Sequence, residues 1–277
     1  MAFLFVDRIL EFEPGKRARG QFTVPKDVPF LLPSLAGEAV GQLAAWIGMQ
    51  ASGWQSRPVA GLAGEIRARG AIPAGASLLL EASIDSLSAE AMSYRGSASM
   101  DGPAILEMRH CVGPMLPMPD FDEPEAARSR FEEIVAGHAT RSYDSLTVPA
   151  FARETLLREE GRRLVQRLHV PASARFFSDH FPRKPVLPAS LLIAEQIAMA
   201  GEFGALAFGS AIEEGSAFRV VVRHMKVRAF TSPGAVLDLE SESVSWGATG
   251  GELRVTALSE GRPISSARLQ LALRAAS

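Results

Sequence analysis

A repeat inside the chain constrains the fold more than any other feature. Residues 13–25 read EPGKRARGQFTVP and residues 159–171 read EEGRRLVQRLHVP. Both fit Glu-x-Gly-basic-Arg, six further residues, then Val-Pro, with Gly15 against Gly161 and Pro25 against Pro171. Phe30 falls against Phe176 at the same offset. Self-similarity at a spacing of about half the chain means two copies of one fold, and 277 residues leave room for two small domains. After Phe30 the first copy passes straight to Leu31-Leu32-Pro33, skipping about nine residues relative to the second. The skipped stretch is a proline-studded run in the second copy: His180, Phe181, Pro182, Pro185 and Pro188.

Each copy then enters an apolar helix. In the first, PSLAGEAVGQLAAWIGMQ has Glu38 and Gln42 as its only early polar side chains, four apart and so on one face. In the second, a helix starts at about Pro188-Ala189-Ser190 and runs through an apolar segment to Gly201. Strand patterns follow the first helix at 58–70, 77–86, 91–100 and 104–115, with turns at 73–75 and at Asp101-Gly102. Prolines 114, 117, 119 and 124 mark an exit, and 123–137 reads as a short amphipathic linker helix. The second copy repeats the order, with a strand at 162–170, the loop and helix, strands at 217–229 and 235–246, and a last pair around Gly250-Gly251 and Gly261. The expected layout is an N-terminal domain at 1–118, a linker at 119–149 and a C-terminal domain at 150–277.

Composition narrows the class. Hydrophobic residues make up 47% of the chain, enough for a packed core. A formal net charge of −2 gives no field that would favour nucleic acid. One cysteine, Cys111, excludes an internal disulfide framework and suits a reducing compartment. The opening MAFLFVDRIL is broken by Asp7 and has no basic start or cleavage site, so it does not read as a signal peptide. No uninterrupted apolar run approaches the roughly 20 residues of a membrane span. The expectation is a cytoplasmic protein.

The prolines bear on chemistry. Each fixes its own φ, biases the preceding residue toward extended geometry and removes a donor. Together they hold His180 on a stiff loop leading into a helix start. The N–H groups there lack helical partners and lie at the positive end of the helix dipole, so the Ala189 N–H can stabilise an oxyanion. A titratable base beside such a site suits removal of a proton next to a carbonyl.

The run from His180 to Pro188 resembles the active-site segment of the FabA/FabZ-type 3-hydroxyacyl-ACP dehydratases. That family reads His-Phe-Pro-x-x-Pro-x-x-Pro-Gly, then a helix with its catalytic acid fourteen positions after the histidine, often within Glu-Ala-x-x-Gln. Here Ala189 replaces the glycine, Ala194 stands at the acid's place and Glu195 comes one position late. One residue of slip turns a side chain by roughly 100° around a helix, so Glu195 is a poor substitute. The first copy has the opposite deficit: Glu38-Ala39-Val40-Gly41-Gln42 matches the acid motif, and the histidine loop is missing.

In that family the histidine and the acid of one site come from two subunits. The resemblance therefore implies an α+β double hotdog, two tandem repeats of a long helix wrapped by an antiparallel sheet, packed as a pseudo-dimer with one complete site. It implies His180 as general base, Glu38 as an acid with a raised pKa, and Ala189 N–H as oxyanion donor. Gln42, Phe181, Val186 and Pro188 would line or support the site. The reaction implied is loss of water from a 3-hydroxyacyl thioester, carried on acyl carrier protein or CoA, to the trans-2-enoyl thioester, with no metal or redox cofactor. Arg183 and Lys184 beside the loop, and Arg223, Lys226 and Arg228 further on, are candidates for docking an acidic carrier, though the latter run also reads as an exposed strand face.

Other residues read as structural. His110 and Cys111 point to opposite faces of a strand, and His138, His169 and His224 lack ligand spacing. A hotdog thioesterase would account for Glu38 but leaves the histidine loop without a purpose. A non-catalytic acyl-binding or scaffold protein is the third reading. Whether the pseudo-dimer pairs again is open.

Overall fold

The computed structural model describes residues 3–70, 72–138, 148, 150–173, 178–208 and 218–273. Its first half contains β1 (Arg8–Glu13), β2 (Arg17–Thr23), β3 (Phe30–Leu31), α1 (Pro33–Ala51), β4 (Ser56–Pro58), β5 (Leu62–Ala68), β6 (Ile72–Pro73), β7 (Ser77–Leu87), β8 (Ala91–Ser99) and β9 (Ala104–Pro117). A 3-10 turn at Met118–Asp120 and α2 (Pro124–Ala136) follow. The second half contains β10 (Ala152–Glu159), β11 (Arg163–His169), α3 (Ala189–Phe208), β12 (Phe218–Val227), β13 (Val236–Gly247), β14 (Gly250–Ser259) and β15 (Arg262–Leu273).

The repeat motif is a hairpin in both halves. Gly15 and Gly161 occupy the left-handed region at φ +69° and +64°, which costs glycine little. Each closes a turn in which the N–H of the basic residue donates to the glutamate carbonyl, Lys16 to Glu13 and Arg162 to Glu159, both at 3.0 Å. Further on, the Val24 and Val170 N–H groups donate to the carbonyls of Ala76 and Ala235, at 2.8 and 2.9 Å. Irregularities in the strand ladders recur as well, between Ile9 and Glu11 in one hairpin and between Thr155 and Leu157 in the other. Phe176, the expected counterpart of Phe30, lies outside the described residues.

The sheet runs β1-β2-β7-β8-β9-β5-β12-β15-β14-β13-β11-β10, with β4 paired to β9 off this path and β3 paired with β6 apart. From each end to the middle, the six main strands of a half follow one order, and every ladder is antiparallel. The halves meet where β5 pairs with β12, with Ile66 opposite Val222 and Glu65 opposite Arg223. Arg223 reinforces that joint by an ion pair to Glu65 at 3.0 Å. A central helix follows the second main strand in each half, so the two helices take equivalent places on one continuous sheet.

Apolar burial fixes those helices. Leu35, Ala36, Ala39, Val40, Leu43 and Ile47 of α1 are almost wholly buried against the sheet, each of the larger side chains contributing about 1.5–3 kcal/mol. Pro33 at the first helical position suits a start where the N–H has no helical acceptor. In α3 the buried set includes Leu191, Leu192, Ile193, Met199 and Phe203. By length and composition the Ala189–Leu206 stretch of α3 could cross a membrane, with a mean hydropathy of 1.2, but half of it is buried inside this fold.

Most expected elements lie within a few residues of their sequence positions. The second helix is longer than anticipated, running on to Phe208. The hairpin strands β1, β2 and β10 form where the sequence pattern places no strand. All eight residues of β10 are exposed, so its pattern carried no sign of a buried face.

Candidate active site

The loop after β11 delivers His180 to the start of α3. The His180 and Val186 backbones close the loop on itself, the Val186 N–H donating to the His180 carbonyl at 2.8 Å. The imidazole lies between aromatic neighbours, with ring centroids 4.6 Å from Phe3 and 4.4 Å from Phe181. Its Nδ1 is 3.2 Å from the Val186 carbonyl oxygen. A carbonyl can only accept, so Nδ1 carries the proton in the neutral ring and Nε2 keeps a free lone pair. Burial, helped by the positive charge of Arg57, pulls the His180 pKa down to about 3, leaving the ring neutral through ordinary pH.

Glu38 enters from the first turns of α1. Its Oε2 accepts from Ser190 Oγ at 2.9 Å, and its Oε1 accepts from Gln42 Nε2 at 3.2 Å. Ser190 belongs to the first turn of α3, so the acid of one half is held by the helix that follows the histidine loop of the other. Burial raises the Glu38 pKa against the opposing pull of Ser190, Gln42 and Arg57. Gln42 also ties down the N-terminal segment: its Oε1 accepts from the Phe5 N–H at 2.9 Å and its Nε2 donates to the Phe3 carbonyl at 3.2 Å. That places Phe3 against the imidazole.

His180 and Glu38 both line a cavity of ≈750 Å³, together with Gln42, Phe181, Val186, Ala189 and Ser190. Ala189 and Ser190 precede the first intrahelical donors, since Leu191 and Leu192 N–H already share the Pro188 carbonyl at 3.0 and 3.1 Å. The Ala189 N–H therefore stands at the open, positive end of α3. Pro188 is not among the cavity-lining residues; its carbonyl serves the helix start instead. From the site the cavity extends over apolar walls that include Leu106, Met108, Val222, Met225, Ile193 and Ile197.

Ala194 lines the cavity, whereas Glu195 does not and turns toward Arg153 at 3.7 Å. The basic candidates are dispersed. Arg183 is ion-paired with Glu123 and donates to the Pro119 carbonyl at 2.9 Å. Lys184 lies 4.7 Å over the Phe230 ring. Arg223 is engaged at the β5–β12 joint, Arg228 donates to Ser266 Oγ at 3.0 Å, and Lys226 is exposed. Cys111 is buried, and among the described residues no three His, Cys, Asp or Glu side chains gather as metal ligands.

Four contributors escaped the sequence reading: Ser190, Phe3, Tyr94 and Arg57. Tyr94 lines the cavity from β8, close enough to Glu38 that the carboxylate's charge adds to the effect of burial in raising the phenol pKa. Ser190 was visible only as part of a helix start. Its bond to Glu38 spans 152 positions, and no local pattern encodes a partner that distant.

A single helix covered by an antiparallel sheet, present in each half, defines a hotdog-fold protein. No protein-family model matches the chain. Over 130 residues, 47% of this chain, it is 33% identical to the 3-hydroxyacyl-[acyl-carrier-protein] dehydratase FabZ of Thermus thermophilus, of which it covers 90%. It is 35% identical over 100 residues, 36% of this chain, to the FabZ of Protochlamydia amoebophila and spans 62% of that relative. The chain belongs to the hotdog-fold family that contains the FabZ dehydratases. Solved structures match it over nearly its whole length. The tesB protein of Mycobacterium avium subs paratuberculosis aligns with 98% of this chain and 97% of its own at TM-score 0.61 and 14% identity. The 12:0-ACP thioesterase of Umbellularia californica aligns with 93% of this chain and 94% of its own at TM-score 0.54 and 11% identity. These likenesses are of fold.

Proposed function

We propose that the chain is a tandem double hotdog, with units at 1–118 and 150–277 joined by a linker at 119–149, that processes acyl thioesters as a 3-hydroxyacyl dehydratase. The observation that carries this reading is the Ser190–Glu38 hydrogen bond. It ties the acid-bearing helix of one half to the helix start beside His180 in the other.

In this scheme a 3-hydroxyacyl thioester, on acyl carrier protein or CoA, enters with its chain along the apolar walls. The Nε2 lone pair of His180 takes a proton from C2. The thioester oxygen gains charge and accepts from the Ala189 N–H, a donor already oriented by the helix start. Glu38, whose pKa burial raises, donates in its protonated form to the departing 3-hydroxyl, and the C3–O bond breaks. The products are the trans-2-enoyl thioester and water. Return of the proton from the imidazolium to the Glu38 carboxylate restores the starting state. Every proton taken is given back, so the cycle balances without a redox partner.

A thioesterase reading draws on the whole-chain likeness to the Umbellularia californica 12:0-ACP thioesterase. It makes Glu38 the base that activates water and leaves His180 without a proton to take. Turnover of 3-hydroxyacyl-ACP substrates of graded chain length, scored as enoyl product against free acid by mass spectrometry, separates the two. Enoyl product that disappears in both His180→Ala and Glu38→Gln supports the dehydratase. Free acid that persists in His180→Ala moves the protein to the thioesterases.

A further inference from the structure

Among the described residues, Arg57 is a cavity-lining charge with no carboxylate paired to it. It sits on β4 and lines the same cavity as His180, with its guanidinium carbon 4.0 Å over the Phe181 ring. Its Nε is buried and has no hydrogen-bond partner among the described residues, and no carboxylate there pairs with it. Of the two carboxyl groups within electrostatic reach, Glu38 is held by Ser190 and Gln42, and Asp122 is itself buried and already engaged. It accepts from Arg130 at 2.9 Å and from the Glu123 N–H at 2.9 Å. Asp122 thus serves Arg130, and the Arg57 guanidinium is left without a carboxylate partner among the described residues. Burial pulls Arg57 down to about 10, which still leaves it charged at neutral pH. The same cavity contains a second unmatched donor, the buried indole N–H of Trp46.

A half-buried cation with ring contacts but no carboxylate partner is costly to leave unmatched, and a planar fork of donors is suited to a carboxylate or phosphate. We propose that Arg57 is a binding residue for an anionic oxygen group on the thioester substrate. Two sources share that chemistry: a carboxylate carried on the acyl chain, or the phosphate of the carrier arm. The proposal rests on the acyl-thioester reading of the cavity but not on which reaction occurs there.

Such an anion would do more than add affinity. Arg57 lies within electrostatic range of both His180 and Glu38 and disfavours the imidazolium. Neutralising it would make His180 a stronger base once the anion is bound, coupling recognition to proton removal. Sequence alone offered no hint of this. Arg57 precedes the strand expected at 58–70, and no local pattern marks it.

The test measures binding, by calorimetry, of saturated acyl thioesters that cannot lose water. One pair differs only in an acyl-terminal carboxylate against a methyl, on an N-acetylcysteamine carrier that has no phosphate. The other pair differs only in the arm, phosphopantetheine against pantetheine. Wild type should prefer the anionic member of one pair by tenfold or more, and the pair showing it identifies the source. In Arg57→Gln that ratio should fall toward one, and Arg57→Lys should restore part of it. Equal affinities within both pairs, or a ratio unchanged in Arg57→Gln, would overturn the proposal. Thermal melting of the variants guards against misfolding: Arg57→Gln also removes the contact over Phe181, so where it loses binding with a lowered Tm the ratio in Arg57→Lys decides, retained in part if the proposal holds and equal to one if it does not. A preserved ratio in a protein that forms no enoyl product would sink the dehydratase reading and leave the anion site standing.

Discussion

The two halves share strand order, hairpin turns and central helix, yet they present opposite chemistry to the cavity between them. The first half contributes Glu38 and Gln42 but enters its helix directly from Phe30–Leu31, with no room for a histidine loop. The second half contributes His180 and the open helix start, and at the place of an acid it has Ala194. The mirror-image position is thus not a ruined duplicate. Its alanine, with Ile193 and Ile197 nearby, forms part of the apolar wall. Losing a carboxylate there removes a group that would be expensive to keep dry and leaves a smooth surface for an acyl chain. On the proposed reading, the first helix supplies the acid and the second supplies part of the container.

That comparison can be broken most directly through the two glutamates. Glu38→Gln should lower kcat/KM about 10²–10⁴-fold, the usual worth of a positioned acid. Glu195→Gln, which alters a side chain paired with Arg153 outside the cavity, should change it less than about threefold. Equal losses in both variants, by steady-state assay, would mean that the halves contribute alike.

A packing contrast is next in size. At Gly96 on β8 an added Cβ would stand 2.5 Å from both the Glu81 carbonyl and Val40 Cγ1 of α1, while the corresponding place in the second half is the fully buried Val255. Gly96→Ala should therefore destabilise the fold by about 1–3 kcal/mol, measured as a lower urea midpoint. Unchanged stability would show that α1 can move off its sheet as freely as a larger residue requires.

The third contrast lies in acid. The folded pKa of His180 is about 3, against roughly 6.5 in an unfolded chain. Between these values the unfolded state binds a proton that the folded state does not. The contribution of His180 to stability is thus complete above about pH 6.5 and is lost as pH falls toward 3. His180→Gln should flatten the dependence of unfolding free energy on pH across that window. An unchanged slope would place the acid sensitivity elsewhere.

The smallest effect sharpens the link between halves. Ser190 donates to Glu38 and lowers its pKa against the pull of burial. Ser190→Ala should reduce kcat about fivefold, in line with one net hydrogen bond of about 1 kcal/mol. It should also move the alkaline limb of the pH–rate profile upward, because Glu38 then holds its proton to higher pH. A limb that stays put would argue that Glu38 is not the group that titrates.

Much of this was legible in the chain because it is local. The Glu-x-Gly turn needs a left-handed glycine in both copies, and the His-Phe-Pro run announces itself through backbone constraint. Glu38 and Gln42 stand out as polar residues on an apolar helix. What stayed hidden depends on distant contacts. Neither the hold of Ser190 on Glu38 nor the placing of Phe3 by Gln42 has a local signature. The outer strand β10 was missed for a different reason: a fully exposed edge has no apolar alternation to read.

The β5–β12 ladder has one consequence for how such a protein behaves at low abundance. Where two separate chains must meet to complete a site, dilution dismantles it. Here the ladder is closed within a single polypeptide, and the tether holds each half at an effective concentration of roughly millimolar with respect to the other. On the proposed Glu38–His180 scheme, specific activity should stay flat as the protein is diluted to the nanomolar range.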